Sequence, residues 1–249
     1  MKANADKCHF ICSSNDNSSL IVENKMIQSS ACEKLLGVKF DLKLTFNSHI
    51  DEICKKAGCK INALSRIAPF MNFQKKRLLV NAFFISQFQY CQLIWMCHNR
   101  THNNKINRLH ERCLRLIYND KKATFEELLE KDNSVSIHQN NLKVLAVEMY
   151  KILHNLSPSI VSDIFPLKPQ NRYNLRNNSE FLVPNVKSVN NGFESLRYLG
   201  PKLWEKIPSN FKALDSLDKF KTALKSWKPD ICKCRLCKIY LNNIGYIEN

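Results

Sequence analysis

The chain has 249 residues, with 38 Lys and Arg against 22 Asp and Glu, giving a formal net charge of +16 and a pI near 9.4. Hydrophobic residues make up 44 %, which excludes disorder throughout and leaves room for one large domain or two small ones. The 5 Gly, none closer than Gly192 and Gly200, exclude a Gly-rich phosphate loop, and no two Asp are adjacent anywhere.

The first elements read as strands. Lys7–Cys12 is one, and Leu20–Glu23 and Met26–Ile27 form a hairpin about a two-residue turn at Asn24–Lys25 that lacks the usual Gly. Lys34–Phe40 is a further strand. Together these predict a small antiparallel sheet of three or four strands over residues 1–46, the edge of something larger, because so short a segment forms a poor core alone.

Residues 47–122 read as a helical bundle. Ile50, Ile53, Cys54, Ala57, Ile61, Leu64 and Ala68 recur at three- and four-residue steps, and Pro69 ends that helix. A second helix is expected from Phe73 to about Cys97. Its stretch from Leu78 is the most apolar in the chain, but Asn81, Ser86, Gln87, Gln89 and Gln92 argue for a buried helix over a membrane span. A third helix is expected from Asn103 to Tyr118, with Ile106, Leu109, Cys113, Leu116 and Ile117 inward.

In residues 123–249, Thr124 and Glu127 make a capping box, and Ser136 opens a longer helix with Leu142, Leu145, Ala146, Met149, Ile152 and Leu153 inward. Four prolines make the stretch to 190 irregular, with short strands expected at Tyr173–Arg176 and Glu180–Val183. Helices return at Glu194–Trp204 and Leu217–Trp227, with Trp204 and Trp227 as core anchors. The expected class is α+β and mostly α-helical: a small N-terminal antiparallel sheet, a helical bundle and a loop-rich helical C-terminal region.

The charge is focused. Residues 47–122 carry 14 basic and 4 acidic side chains, net +10, against +1 before them and +5 after. Such focus points to a polyanion-binding face; ordinary solvated helix faces are the alternative. Lys105, Arg108, Arg112 and Arg115 fall on one side of their helix, about 110° from its apolar stripe. Phe70, Phe73, Phe83, Phe84, Phe88, Tyr90, Trp95 and Tyr118 accompany this region. Stacking on bases is open to them, with core packing the expected role for most.

Catalytic chemistry is thin. The 11 Cys are odd in number and no apolar stretch opens the chain as a signal peptide does, so reduced thiols in an intracellular protein are expected. Cys232, Cys234 and Cys237 have C-x-C-x2-C spacing and could share a zinc ion with a distant fourth ligand, Cys8, His9 or Cys12 being candidates; a reduced Cys cluster is the alternative. Cys8-His9-x2-Cys12 is explained by a strand placing both thiols on one face. His98 and His102 lack a third ligand at helical spacing, and His110, beside the basic row, reads as a surface residue able to meet phosphate.

Met1–Cys8 and Glu33-Lys-Leu-Leu-Gly-Val-Lys-Phe-Asp41, with Leu44-Thr-Phe46 and His49-Ile50, resemble the stretch after the catalytic motif in reverse transcriptases of non-LTR (LINE-type, jockey-like) retrotransposons. The resemblance continues through Cys91–Trp95, Lys105–Arg115, Leu199–Trp204, Ile207-Pro208, Phe220-Lys221 and the closing Cys cluster, and so covers nearly the whole chain. It implies a C-terminal fragment: residues 1–46 as the last palm strands, 47–122 as a thumb-like bundle holding template–primer duplex, and 123–249 as the element's C-terminal region. Two-metal polymerase chemistry needs clustered carboxylates. The family's adjacent Asp pair is missing here, so Mg would act only in a complete polymerase, and this chain alone is expected not to polymerise.

The implied partner is RNA or an RNA–DNA duplex, held through its backbone with little sequence preference. The residues expected to meet phosphate are Lys55, Lys56, Lys60, Lys75, Lys76, Arg77, Lys105, Arg108, Arg112 and Arg115. Two other readings stay open: a helical protein-interaction domain, docking to the missing polymerase portion or another partner, and a non-functional retroelement remnant.

Overall fold

Two short β-hairpins precede eleven α-helices among the described residues. The computed structural model describes residues 4–12, 18–97, 100–168, 180–187 and 195–227. The architecture is α+β and mostly helical. It divides into two compact units, residues 1–91 with 101–123, and residues 92–100 with 124–249.

In the first unit, β1 (Ser19–Val22) pairs antiparallel with β2 (Lys25–Gln28), and β3 (Cys32–Leu35) with β4 (Val38–Asp41). Each hairpin pairs only with itself, so the expected sheet of three or four strands is two separate ribbons. The first turn is Glu23–Asn24, one residue earlier than expected, with φ of 46° and 63°. The second is Leu36–Gly37, at 46° and 87°. Both positions of such a turn need positive φ, which Gly37 takes without strain and Leu36 does not. Lys7–Cys12 is not a strand. A 3₁₀ turn occupies Ala5–Lys7, and among the described residues the one ladder-like bond is Ser30 N–H to the Phe10 carbonyl at 2.9 Å.

The second hairpin fixes the start of α1 (Asn47–Ile67) through Asp41. Asp41 Oδ1 accepts from the amides of Lys43 (3.2 Å) and Thr45 (3.0 Å), and Oδ2 from the Thr45 hydroxyl (3.1 Å) and the Phe46 amide (2.7 Å). Burial opposes ionisation, but these donors outweigh it and hold the carboxyl below its ordinary value. Phe46 sits at φ 56° and packs edge-on against Phe40, with ring centroids 5.5 Å apart. His49 Nδ1 accepts from the Lys39 amide (3.3 Å), and burial lowers the pKa of its ring. The D-x-x-L-x-F-x-x-H-I pattern is thus a device for turning β4 into α1.

Three helical segments form this unit's core. α1 buries Ile50, Ala57, Ile61 and Leu64. α2 (Phe73–Val80) continues through a π-helical turn, Asn81–Ile85, into α3 (Ser86–Gln89), burying Val80, Phe84 and Phe88. α5 (Arg100–Tyr118) buries Ile106, Cys113, Leu114 and Ile117. The helix expected from Phe73 to Cys97 is therefore shorter. It stops at Tyr90–Cys91, where Cys91 takes φ 47° and the Tyr90 hydroxyl donates to the Leu36 carbonyl at 2.6 Å. α4 (Gln92–Trp95) belongs to the second unit.

The second unit is built on α7 (Ile137–Leu153), which the Ser136–Gln139 capping box starts, after α6 (Phe125–Asp132) with its Thr124–Glu127 box. Leu142, Leu145, Ala146, Met149 and Tyr150 pack with Phe165, Phe181, Leu203, Trp204, Phe220 and Leu224. These come in part from α9 (Leu196–Lys206) and α11 (Leu217–Ser226), while α8 (Ser159–Ile164) and α10 (Ser209–Lys212) are short and bury no residue fully. Trp204 and Trp227 are core residues, as expected. Gly200 is there because of close approach: a Cβ on it would stand 2.5 Å from Phe165 Cε1 and 2.8 Å from Met149 Sδ. Glu180–Val183 forms no strand, only a single bridge between Phe181 and Leu167. Tyr173–Arg176 lies outside the described residues.

Candidate nucleic-acid interface

The basic side chains lie on the solvent faces of the first unit's helices because the apolar stripes claim the other faces. On α1, Lys55, Lys56 and Lys60 are exposed between the buried Ile50 and Ile61. On α5, Lys105, Arg108 and Arg112 are exposed and Arg115 is half-buried. Lys75 and Arg77 are exposed on α2, and Lys76 is half-buried.

α1 and α5 run side by side in the same direction. Lys105 Nζ meets Asp51 Oδ1 at 2.7 Å, a Cβ on Gly58 would stand 3.9 Å from Leu109 Cδ2, and Arg112 Nη2 donates to Asn62 Oδ1 at 2.8 Å. Lys55 and Arg108 each lie one helical turn beyond the Asp51–Lys105 pair on the same faces. They therefore flank this seam. Lys60 Nζ stands 5.7 Å from the centroid of the Phe83 ring.

Nine of the ten expected phosphate ligands fall into two groups, and the tenth, Arg77, is already engaged. Four are committed to protein groups: Lys56 to Glu52 (2.5 Å), Lys105 to Asp51, Arg115 to Glu111 (2.7 Å) and the Ala123 carbonyl (3.3 Å), and Arg112 to Asn62. Glu52 also holds Lys39 at 2.7 Å, and hydrogen bonds from Lys39 and Lys56 pull its carboxyl down to about 2. The hydrogen bond from Lys105 leads in lowering Asp51, against its burial, and His102 Nε2 lies 3.3 Å away. Lys55, Lys60, Lys75, Lys76 and Arg108 make no ion pair among the described residues. The row Lys105–Arg108–Arg112–Arg115 thus leaves chiefly Arg108 uncommitted.

One stronger signal lies in what is missing from the sequence. From Ile53 to His110 the chain carries no Asp or Glu at all. The end of the bundle where α1 and α5 finish and α2 begins is also basic. Phe73 and Tyr118, with ring centroids 5.3 Å apart, bring α2 and α5 together there, and Arg66, Lys75, Lys121 and Lys122 are exposed. Arg66, Lys121 and Lys122 were not among the expected ligands, although they stand in plain view in the sequence. Asp120, the acid of this end, accepts from the amides of Lys122 and Ala123, both at 3.1 Å.

Two expectations are corrected. His110 is buried and stacks on Phe84, with ring centroids 5.7 Å apart, so it is a core residue and not a surface contact for phosphate. The aromatics accompanying the basic helices are not mostly core: Phe84, Phe88 and Trp95 are, whereas Phe70, Phe73, Phe83 and Tyr90 are exposed.

Nothing in the site suggests a nucleophile. Burial raises Cys54 to about 11 and Cys113 to about 12, and such thiols stay protonated and unreactive at neutral pH. All eight described cysteines are free. Among the described residues no group of three or more His, Cys, Asp or Glu could hold a metal ion. Cys232, Cys234 and Cys237 lie outside them, as does His98. No helix of the described residues is long and apolar enough to cross a membrane.

No family model matches the chain, and no curated protein or solved structure is similar to it by comparison.

Proposed function

We propose that the first unit binds nucleic acid, gripping the sugar–phosphate backbone of RNA or an RNA–DNA duplex as the thumb of a non-LTR reverse transcriptase would. The observation that carries this reading is the acid-free run from Ile53 to His110 together with exposed Lys55, Lys60, Lys75 and Arg108, which make no ion pair among the described residues. Committed cations give up an existing partner before meeting phosphate; uncommitted ones release only counterions. Three of these four cations are Lys, point charges suited to backbone neutralisation, so a low sequence preference is expected.

The polymerase Asp pair is not in this chain, so the proposal is for binding without polymerisation, in an intracellular setting; Mg would serve only a complete polymerase, and zinc only the Cys232–Cys237 cluster. Fluorescence-anisotropy titration of two hybrid duplexes of unrelated sequence tests the reading. Equal binding of both is expected at low salt, and failure to bind either overturns it. A primer-extension assay with Mg on the same protein is expected to give no product, and clear extension contradicts the second half of the proposal.

A second reading is favoured by the hairpins, where Ile21, Met26, Leu35 and Leu36 are exposed. These suit docking of an apolar protein surface, such as that of a reverse-transcriptase palm, and a pull-down with such a palm domain distinguishes the two.

A further inference from the structure

Phe70 is the most exposed large hydrophobic side chain of the described residues, at 88 %. It is also held in a fixed place. It closes the 3₁₀ turn Ala68–Phe70, which Pro69 pre-sets, and the Met71 amide donates to the Ala68 carbonyl at 3.1 Å. Two residues on, Asn72 caps α2 by accepting from the Lys75 amide at 3.0 Å. Ala68 on one side of Phe70 is buried, which ties the turn to the core.

An apolar ring standing in water on a rigid corner gains nothing for the folded state, since it is as exposed there as in the unfolded chain. Its surroundings say what it could meet. The corner belongs to the end of the bundle that presents Arg66, Lys75, Lys121 and Lys122, and Asp120 is engaged with backbone amides. Phe73, three residues along, adds a second partly exposed ring at 43 %. An aromatic face among cations is the chemistry that takes a nucleobase with its phosphates: the ring stacks and the cations follow the backbone. An apolar protein surface would find this rim of cations, which make no ion pair among the described residues, costly to desolvate.

We infer that Phe70 is a stacking platform for an unpaired base, so that the bundle grips duplex along its helices and the first single-stranded nucleotide beyond it at the α1–α2 corner. This rests on the backbone-binding reading and adds to it a preference for a junction between duplex and single strand.

The test compares a blunt hybrid duplex with the same duplex carrying a single-stranded overhang whose first base is 2-aminopurine. Wild type is expected to bind the overhang duplex about tenfold tighter than the blunt one and to change the 2-aminopurine fluorescence on binding. F70A should lose both effects while binding blunt duplex as wild type does; F70W should keep both. Because the side chain is exposed, F70A should also melt as wild type does, so loss of fold does not confuse the result. Equal wild-type affinity for the two duplexes, or an overhang preference that survives in F70A, overturns the inference and leaves the backbone reading standing. Failure to bind either duplex overturns the backbone reading itself. If F70A changes neither affinity but abolishes capture of a polymerase portion, the ring serves a protein partner and the inference fails.

Discussion

Removing the Asp41 carboxylate gives a direct measure of how the second hairpin is joined to α1. Of the four hydrogen bonds it accepts, those from the Lys43 amide, the Thr45 amide and the Thr45 hydroxyl are exposed, and water can replace them. The 2.7 Å bond from the Phe46 amide is part-buried beneath a buried ring and leaves an orphaned donor when lost. A charge-assisted bond of this kind contributes about 1.5–3 kcal/mol, and the exposed ones a few tenths each. Asp41→Ala should therefore cost about 2–3 kcal/mol at neutral pH, and Asp41→Asn about half of that, because one oxygen can still serve Phe46. The folded carboxyl lies below its ordinary value, so its stabilisation is present above the unfolded pKa and is lost as pH falls through the folded one. The gap between wild type and Asp41→Asn should then close below about pH 4. Urea denaturation across pH, with hydrogen exchange of the Phe46 amide, measures both. An Ala variant as stable as wild type at neutral pH, or a gap that stays constant into acid, refutes this role for Asp41.

Other outcomes follow from the same contacts. The variant K60A/K75A/R108A should lower the slope of log K against log salt by about 3, whereas K56A/R115A, whose cations already face carboxylates, should lower it by less than about 1; filter binding over a salt series compares them. Gly200→Ala should destabilise the chain by about 1–3 kcal/mol in urea, since its Cβ would overlap Phe165 and Met149 in the second unit's core. Ser136→Ala should cost about 1 kcal/mol in a thermal melt through loss of the α7 cap. In the native protein at neutral pH, an alkylating reagent should modify exposed Cys59 well before Cys113, which is buried and raised to about 12; mass spectrometry of the digest reads the order.

Features with local causes were legible in the sequence. The Thr124–Glu127 capping box, the helix start at Ser136, the apolar stripes of α1, α5 and α7, and the two core tryptophans follow from spacing alone, because each depends on residues within a few turns. What failed depended on contacts far apart in the chain. Lys7–Cys12 has strand composition but, among the described residues, a single ladder-like bond, from Ser30 to Phe10. The helix through residues 73–97 breaks at Cys91, where Tyr90 reaches back to Leu36. His110 sits on the rim of a basic row by sequence, but its ring stacks on Phe84 from another helix. Lys105, Arg108 and Arg112 of the basic row face outward and Arg115 is half-buried, yet only the fold shows that Lys105, Arg112 and Arg115 already have partners. Phe70 looked like one more core aromatic; only the 3₁₀ turn puts it in water.

The most direct measurement is the affinity of the unmodified protein for a hybrid duplex as salt is raised. A backbone grip through Lys55, Lys60, Lys75 and Arg108 predicts a linear fall of log K with log salt, with a slope of about −4 and no dependence on duplex sequence. A slope near zero, or no measurable binding at low salt, contradicts it.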